Sequence, residues 1–443
     1  MFKKVIKARK FQGEIALPGD KSISHRSMML SAICEGETRI ENYSPSADCA
    51  STRACMQAMG VFVESDNTEM LVRGAGKFGL LAPRHALDCG NSGTTMRLLS
   101  GILAGQTFSS ELIGDESLSK RPMKRIITPL VNMKAAIRSR EGFAPLQIRG
   151  NYPLDAFEHK LTIPSAQIKS AILFAGLYAE GKTVIFNPQN NKKESASRDH
   201  TERMLRHLGA EVTEEYVESS ESFVQKISIE GNSVLKAADI LIPADISAAA
   251  FFIVGAMLYK GAEISLPNVG LNKSRTALLG VLQKCGAKIE IRNRRNANLE
   301  EIGDVYVYGD PESLTSERVR IGAEVVPNLI DEIPILAVLG SQLKGGIEIR
   351  EAEELRVKES DRIRSVVENL KKMGAEVEEF RDGMLVSNSS LRGNEITTYG
   401  DHRIAMAFAI AASFARGETV IDNSDCAAVS FPKFFSELEK ITL

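Results

Sequence analysis

The sequence predicts an α/β (α+β) fold arranged as two pseudo-symmetric domains, and three observations carry that expectation. Strand-like and helix-like stretches alternate along the whole chain, the pattern of layered α/β architecture. A glycine-centred turn between an apolar helix and a short strand recurs six times, at Gly36, Gly105, Gly181, Gly261, Gly346 and Gly417. The chain of 443 residues also exceeds what one hydrophobic core organises, since single cores stop growing near about 250–300 residues.

The six turns lie 69, 76, 80, 85 and 71 residues apart. Each opens the same unit: turn, strand, polar loop, amphipathic helix, second glycine, strand. The second glycine follows at Gly60, Gly209, Gly286 and Gly374; Met133–Ala136 stands in for it in the second copy, and the C-terminus cuts the sixth copy short. These copies are longer than the roughly 20–50 residues of a solenoid repeat, which favours two groups of three over one stack. Copies one to three fill 20–242 and copies four to six fill 243–443. In the fifth copy, Ile363, Val366, Val367, Leu370 and Met373 share one helical face. Gly374 then suits a left-handed helix end, and Ala375–Phe380 reads as a strand. Near the start, Gly13–Leu17 alternates like a strand and runs into a Pro18–Gly19 turn.

Composition excludes several classes. Lys and Arg number 55 against 57 Asp and Glu, a net charge of −2, so no global basic field invites nucleic acid. The longest uncharged run, Ile246–Tyr259, has 14 residues, short of the roughly 20 that span a bilayer, and no membrane partner is expected. The six cysteines (Cys34, Cys49, Cys55, Cys89, Cys285, Cys426) show no CxxC or paired spacing. A zinc knuckle or disulfide scaffold is therefore not expected, and a reducing compartment is. Two lysines open the chain without an apolar stretch behind them, so no secretory signal is read and the protein is expected in the cytoplasm.

Seven polar clusters stand at strand ends or helix starts of successive copies. Lys21-Ser22-Ile23-Ser24-His25-Arg26 follows Pro18-Gly19-Asp20, with a helix expected over Arg26–Ala32. Lys21 and Ser22 then lie near a helix N-terminus, whose unpaired N–H groups attract anions. Asn91-Ser92-Gly93-Thr94-Thr95-Met96-Arg97 offers Gly93 for close backbone approach and Thr94 as a cap. Arg121 precedes Pro122, a residue suited to a first helical turn, and its guanidinium can fork onto phosphate or carboxylate. Ser165-Ala166-Gln167 enters the apolar helix Ala171–Tyr178 with Ser165 as cap, and Ser195-Ala196-Ser197-Arg198 stands before the next helix. The remaining three are Asp331-Glu332-Ile333-Pro334, Arg356–Arg364 with Lys358, Glu359 and Arg362, and Asp401-His402-Arg403.

Each cluster alone reads better as a capped helix start or turn with solvated charges than as a site. Together, Lys21, Arg26, Arg121, Arg198, Lys358, Arg362 and Arg403 describe a focused site for polyanions in a chain of near-zero net charge. Asp331 and Glu359 lie among those cations as proton-transfer candidates. No GxxxxGK[ST] loop occurs, so nucleotide use is not indicated.

The ordered set LPGDKSISHRSM, NSGTTMR, SLSKRPM, PSAQIKSA, LRVKESDR and GDHRIAM is very similar to the motifs of the 5-enolpyruvylshikimate-3-phosphate synthase family (3-phosphoshikimate 1-carboxyvinyltransferases), and it spans essentially the whole chain. The resemblance implies two domains of three βαβαββ units each, with sheets outward, helices buried and the active site in the cleft between domains. Domain crossings are implied near Gly19–Asp20 and Leu241–Ala244, giving 20–242 as one domain and 1–19 with 243–443 as the other. It implies transfer of the enolpyruvyl group of phosphoenolpyruvate to the 5-hydroxyl of shikimate 3-phosphate by addition and elimination, with no metal or organic cofactor and in a monomer. Lys21, Ser22, Arg26, Ser165, Ala166, Gln167, Arg198, Asp331 and Lys358 match the shikimate 3-phosphate set. Lys21, Gly93, Arg121, Gln167, Arg362 and Arg403 match the phosphoenolpyruvate set. Asp331 corresponds to the proton acceptor, Glu359 with Lys358 to the acid–base pair, and Lys21 faces both substrates.

Val429 stands where relatives carry a lysine, Leu98 replaces a proline, and Ala166 replaces a frequent serine. With Arg198, these departures resemble the branch in which some members tolerate glyphosate. Two alternatives stay open at this point. The related UDP-N-acetylglucosamine enolpyruvyl transferase carries a loop cysteine, whereas Gly114–Met123 has none. A non-catalytic polyanion-binding protein of the same fold would keep the arginines without needing Asp331 and Glu359.

Overall fold

Every repeat places one helix whose body, beyond its polar first residues, is buried on all sides, and the rest of the architecture follows from covering it. A computed structural model describes residues 1–189, 197–218, 223–231 and 233–442; Ser195 and Ala196 lie outside the described residues. The chain divides into two units, one of residues 1–18, 243–295 and 301–443, the other of residues 19–242 and 296–300.

In the 19–242 unit the buried helices are Lys21–Ala32, Gly93–Ala104 and Ala166–Gly176. Three four-stranded sheets surround them, each in the same order: a short parallel edge strand, then a strand flanked by an antiparallel hairpin. In the first sheet Ile240–Leu241 pairs parallel with Glu35–Glu41, which pairs antiparallel with Glu69–Ala75, and Phe62–Asp66 closes it. The sheets bury one face only. Along Glu35–Glu41, Thr38 and Ile40 point inward and their neighbours meet solvent.

The other unit repeats the plan around Ile246–Met257, Ile333–Gly340 and His402–Phe414. All twelve residues of Ile246–Met257 are buried. The truncated sixth copy is completed from the far end of the chain: Lys3–Val5 pairs antiparallel with Thr419–Ile421. The strand expected over Gly13–Leu17 is shorter, Gln12–Glu14, and pairs parallel with Glu263–Gly270. Beyond Glu14 the chain turns into the core, where Ile15 is fully buried and donates its amide to Ser265 O at 3.0 Å.

The repeated turn glycine takes positive φ at Gly36, Gly181, Gly261, Gly346 and Gly417, a region costly for other residues. Gly105 differs, with φ −91°; a Cβ there would lie 2.2 Å from the Tyr178 ring, so packing selects glycine. In the second copy Lys134 takes the left-handed place at φ 73°, within the stretch read as a substitute for glycine. The fifth-copy helix runs Arg362–Lys372 with its apolar face fully buried, Gly374 follows at φ 83°, and the strand is Val377–Phe380.

Candidate active site

Asp20 caps the first buried helix by accepting the Ile23 amide at 2.8 Å, so the helix begins at Lys21 and not at Arg26 as expected. Its polar first turn hides the start from hydrophobic periodicity. Lys21 Nζ lies 2.9 Å from Asp48 Oδ2, a carboxylate in the first turn of helix Ala47–Ala58. Arg26 is buried and donates to Thr201 Oγ1 at 2.6 Å, Ser170 Oγ at 2.8 Å and the Ser22 carbonyl at 2.8 Å. Ser170 Oγ donates to the Ala166 carbonyl at 2.6 Å, and Arg198 Nη1 is 3.4 Å from Ser22 Oγ. One network therefore gathers Ser22, Arg26, Ala166 and Arg198, and Lys21 precedes Ser22 on the same helix start, paired with Asp48. Ser165 caps its helix as expected, but the helix is Ala166–Gly176 and not Ala171–Tyr178. Below this network Lys169 Nζ pairs with Glu202 Oε1 at 2.6 Å, both side chains fully buried. Burial pushes the Glu202 carboxyl above its usual range, with the Lys169 ammonium opposing.

The second buried helix is capped by Ser92 and not by Thr94; Ser92 Oγ accepts the Thr95 amide at 3.0 Å. Thr94 instead accepts from Gln167 Nε2 at 3.0 Å, and Gln167 Oε1 accepts from Arg97 Nη1 at 2.7 Å. A Cβ at Gly93 would lie 2.7 Å from Arg97 Nη1 and 3.6 Å from Arg121 Nη1. The bare backbone at Gly93 thus makes room first for two guanidinium groups. Arg121 donates to the Asn91 carbonyl at 3.2 Å, Asn91 Oδ1 at 2.7 Å and Ser117 Oγ at 3.1 Å. It stands just after the short helix Glu116–Ser119, and Pro122 precedes the helix Lys124–Asn132 without entering its first turn. Leu98 is fully buried on the second buried helix, and Val429 ends the 3₁₀ turn Ser424–Val429.

In the other unit the centre is Arg362, buried at the start of its helix. Nε lies 2.8 Å from Asp401 Oδ2, Nη2 2.7 Å from Glu359 Oε2, and Nη1 3.4 Å from Asp331 Oδ1. Burial opposes the charge, yet Asp401, Glu359 and Asp331 outweigh it and hold the guanidinium well above its ordinary value. The three carboxylates are not equivalent: the Asp401 side chain is 0% exposed, Asp331 18% and Glu359 20%. Asp401 also caps helix His402–Phe414 through the Arg403 amide at 2.9 Å. Arg403 Nε lies 3.5 Å from Asp331 Oδ1, and its Nη1 donates to the Asp331 carbonyl at 3.0 Å. Asp331 is therefore no helix cap; Glu332 holds that position and makes no side-chain cap bond. Lys358 pairs with Glu354 at 3.6 Å.

Asp48, Arg97, Ser170, Thr201 and Asp401 were not singled out as functional from sequence. Asp48 and Asp401 look like ordinary helix-start acids, Ser170 falls just before the helix expected at Ala171, and Thr201 looks like helix interior. Only the tertiary fold brings Asp48 to Lys21, Arg97 to Gln167, Ser170 and Thr201 to Arg26, and Asp401 to Arg362. Among the described residues no group of three or more His, Cys, Asp or Glu side chains could hold a metal ion, and no helix is long and apolar enough to cross a membrane.

Residues 5–438 match the family described as EPSP synthase (3-phosphoshikimate 1-carboxyvinyltransferase). The 3-phosphoshikimate 1-carboxyvinyltransferase of Solibacter usitatus (strain Ellin6076) is 48% identical over 443 residues, covering 100% of both chains. That of Bacillus subtilis (strain 168) is 44% identical over 440 residues, 98% of each chain. Among solved structures, an EPSP synthase from Acinetobacter baumannii superposes with a TM-score of 0.85 at 39% identity, covering 100% of this chain and 98% of that one.

Proposed function

The chain belongs to the EPSP synthase family, and on that premise we propose how its own residues divide the reaction. It is a 3-phosphoshikimate 1-carboxyvinyltransferase, moving the enolpyruvyl group of phosphoenolpyruvate onto the 5-hydroxyl of shikimate 3-phosphate in the shikimate pathway. In the addition step the hydroxyl oxygen bonds to C2 of phosphoenolpyruvate while its proton leaves and C3 gains one. In the elimination step C3 loses a proton, the double bond reforms and the C2–O bond to phosphate breaks.

Both substrates are polyanions, and the 19–242 unit supplies cations for them. Lys21, Ser22, Arg26, Arg198 and the Ser165-Ala166-Gln167 helix start hold shikimate 3-phosphate. Gly93, Arg121 and Gln167, with Lys21, hold phosphoenolpyruvate. In the other unit Asp331 takes the 5-hydroxyl proton, and Glu359 with Lys358 exchanges the proton at C3. Arg403 and Arg362 serve the phosphoenolpyruvate side, and Arg362 also orients the two carboxylates.

One observation carries the catalytic part: a buried arginine is shared by three carboxylates, of which Asp401 is sealed and Asp331 and Glu359 remain partly open. Asp401 suffices to neutralise Arg362. Two further carboxylates beside anion-binding cations weaken binding unless proton transfer uses them. Six buried free thiols suit the reducing cytoplasm.

The test is release of phosphate from shikimate 3-phosphate and phosphoenolpyruvate as the sole substrates. Asp331→Asn and Glu359→Gln should each lower kcat by about 10²–10⁴-fold with little change in substrate affinity. Near-normal kcat in both variants would remove the assignment.

A further inference from the structure

Four buried polar side chains form a line in the 19–242 unit that the reaction scheme leaves unused. His25 Nδ1 lies 2.6 Å from Thr52 Oγ1, Thr52 Oγ1 lies 2.6 Å from Thr95 Oγ1, and Thr95 Oγ1 donates to Ser92 Oγ at 2.7 Å. None of the four is more than 1% exposed. They come from three different helices and end on the cap of the helix that begins at Gly93.

Hydrogen counting gives the line a direction. The Thr95 hydroxyl hydrogen goes to Ser92, so Thr95 Oγ1 must accept from Thr52. The single Thr52 hydrogen is then spent, so Thr52 Oγ1 accepts from His25, which must carry its proton on Nδ1. That tautomer leaves Nε2 as a bare lone pair, and Nε2 is the buried ring atom with no hydrogen-bond partner. The opposite tautomer would bury an unpaired N–H, the costlier arrangement. Burial, with Lys21 and Arg26, holds the imidazole well below its ordinary value, consistent with a neutral ring.

The cap at Ser92 lies between two residues that shape the anion site. Asn91 accepts from Arg121 with both its carbonyl and its side-chain oxygen, and Gly93 sits against the Arg97 and Arg121 guanidinium groups. We propose that His25, Thr52, Thr95 and Ser92 are positioning residues for phosphoenolpyruvate: an oriented hydrogen-bond chain that fixes the Asn91-Ser92-Gly93 backbone, and through Asn91 the direction of Arg121. The proposal rests on the reading that Gly93 and Arg121 hold phosphoenolpyruvate.

Thr52→Val and Thr95→Val remove a hydroxyl and keep the shape. Each should raise the KM for phosphoenolpyruvate about tenfold, as loss of one buried hydrogen bond does. kcat and the Kd for shikimate 3-phosphate should stay within about twofold, and Thr95→Ser should restore the wild-type KM. In the wild-type enzyme, ¹⁵N shifts of the imidazole should report the Nδ1–H tautomer. Thermal melts of each variant separate loss of fold from loss of positioning, and Thr52→Val decides if Thr95→Val does not fold. An Nε2–H tautomer would overturn the proposal. So would lowered Tm with unchanged KM, or equal weakening of both substrates. Arg121→Ala is the control on the underlying reading: if it leaves the KM for phosphoenolpyruvate unchanged, that reading falls and the proposal with it. If Arg121→Ala raises the KM and neither valine variant does, the positioning proposal alone fails.

Discussion

At the residue scale, His25 is buried without room for its charged form. Desolvation lowers its pKa most, Lys21 and Arg26 add to the effect, and Asp20 opposes it. In the unfolded chain it titrates near the ordinary 6.5. Below that pH the unfolded state binds a proton that the folded state refuses, so acid favours unfolding. The stability from this site is fully present above pH 6.5 and is lost as pH falls toward the depressed folded value. The slope in that window approaches about 1.4 kcal/mol per pH unit. His25→Asn should flatten the denaturant-measured stability curve between pH 6.5 and 5 relative to wild type. Equal slopes would mean that His25 takes up its proton in the folded state. Single residues were legible in sequence wherever their own chemistry was distinctive: Lys21, Arg26, Arg121 and Arg362 stood out as cations beside turns. Their partners were not, because Thr201 and Ser170 reach Arg26 across 175 and 144 residues of chain.

At the element scale, the buried helices meet closely enough that side-chain size decides their spacing. A Cβ on Gly101 would lie 2.2 Å from the Ala171 carbonyl oxygen of the third buried helix. That atom is backbone, so relief requires the helices to part. Gly101→Ala should destabilise by about 1–3 kcal/mol despite its better helix propensity. It should lower Tm by several degrees, and an unchanged or raised Tm would show that the crossing is slack. Helix interiors and glycine stops were readable from sequence, as in Arg362–Lys372 with Gly374. Helix starts were read late at Lys21 and Ala166, and the cap was misplaced at Ser92. The physical reason is common to all three. Their first turns carry polar residues that arginines approach, so the apolar period begins only one or two turns further on.

At the scale of the whole molecule, six copies were legible because the turn glycine recurs, at five turns where positive φ is needed and at Gly105 where the Tyr178 ring leaves no room for a Cβ. How the copies close was not, since Lys3–Val5 finds Thr419–Ile421 at the opposite end of the chain and three-residue strands carry little pattern. Nor was the allocation of residues 296–300, which simple halving puts with 243–443 but which pack in the 19–242 unit. His200 Nδ1 lies 2.7 Å from Glu300 Oε1, Arg203 donates to the Leu299 carbonyl at 2.6 Å, and Asn298 donates to the Leu241 carbonyl at 2.6 Å. The strands on either side of this tip, Lys288–Ala297 and Glu300–Tyr308, are mostly assigned to the other unit. Replacing 296–300 by a minimal two-residue turn should therefore weaken hydrogen-exchange protection in helix His200–His207, where no residue has been altered. Undiminished protection there would show the tip to be ornamental. For anyone recombining this gene with a relative's, breakpoints at the two crossovers separate a module from five of its own residues. A functional exchange of residues 19–242 has to carry the distant codons for 296–300 with it, so the smallest heritable unit of this half is two stretches of DNA.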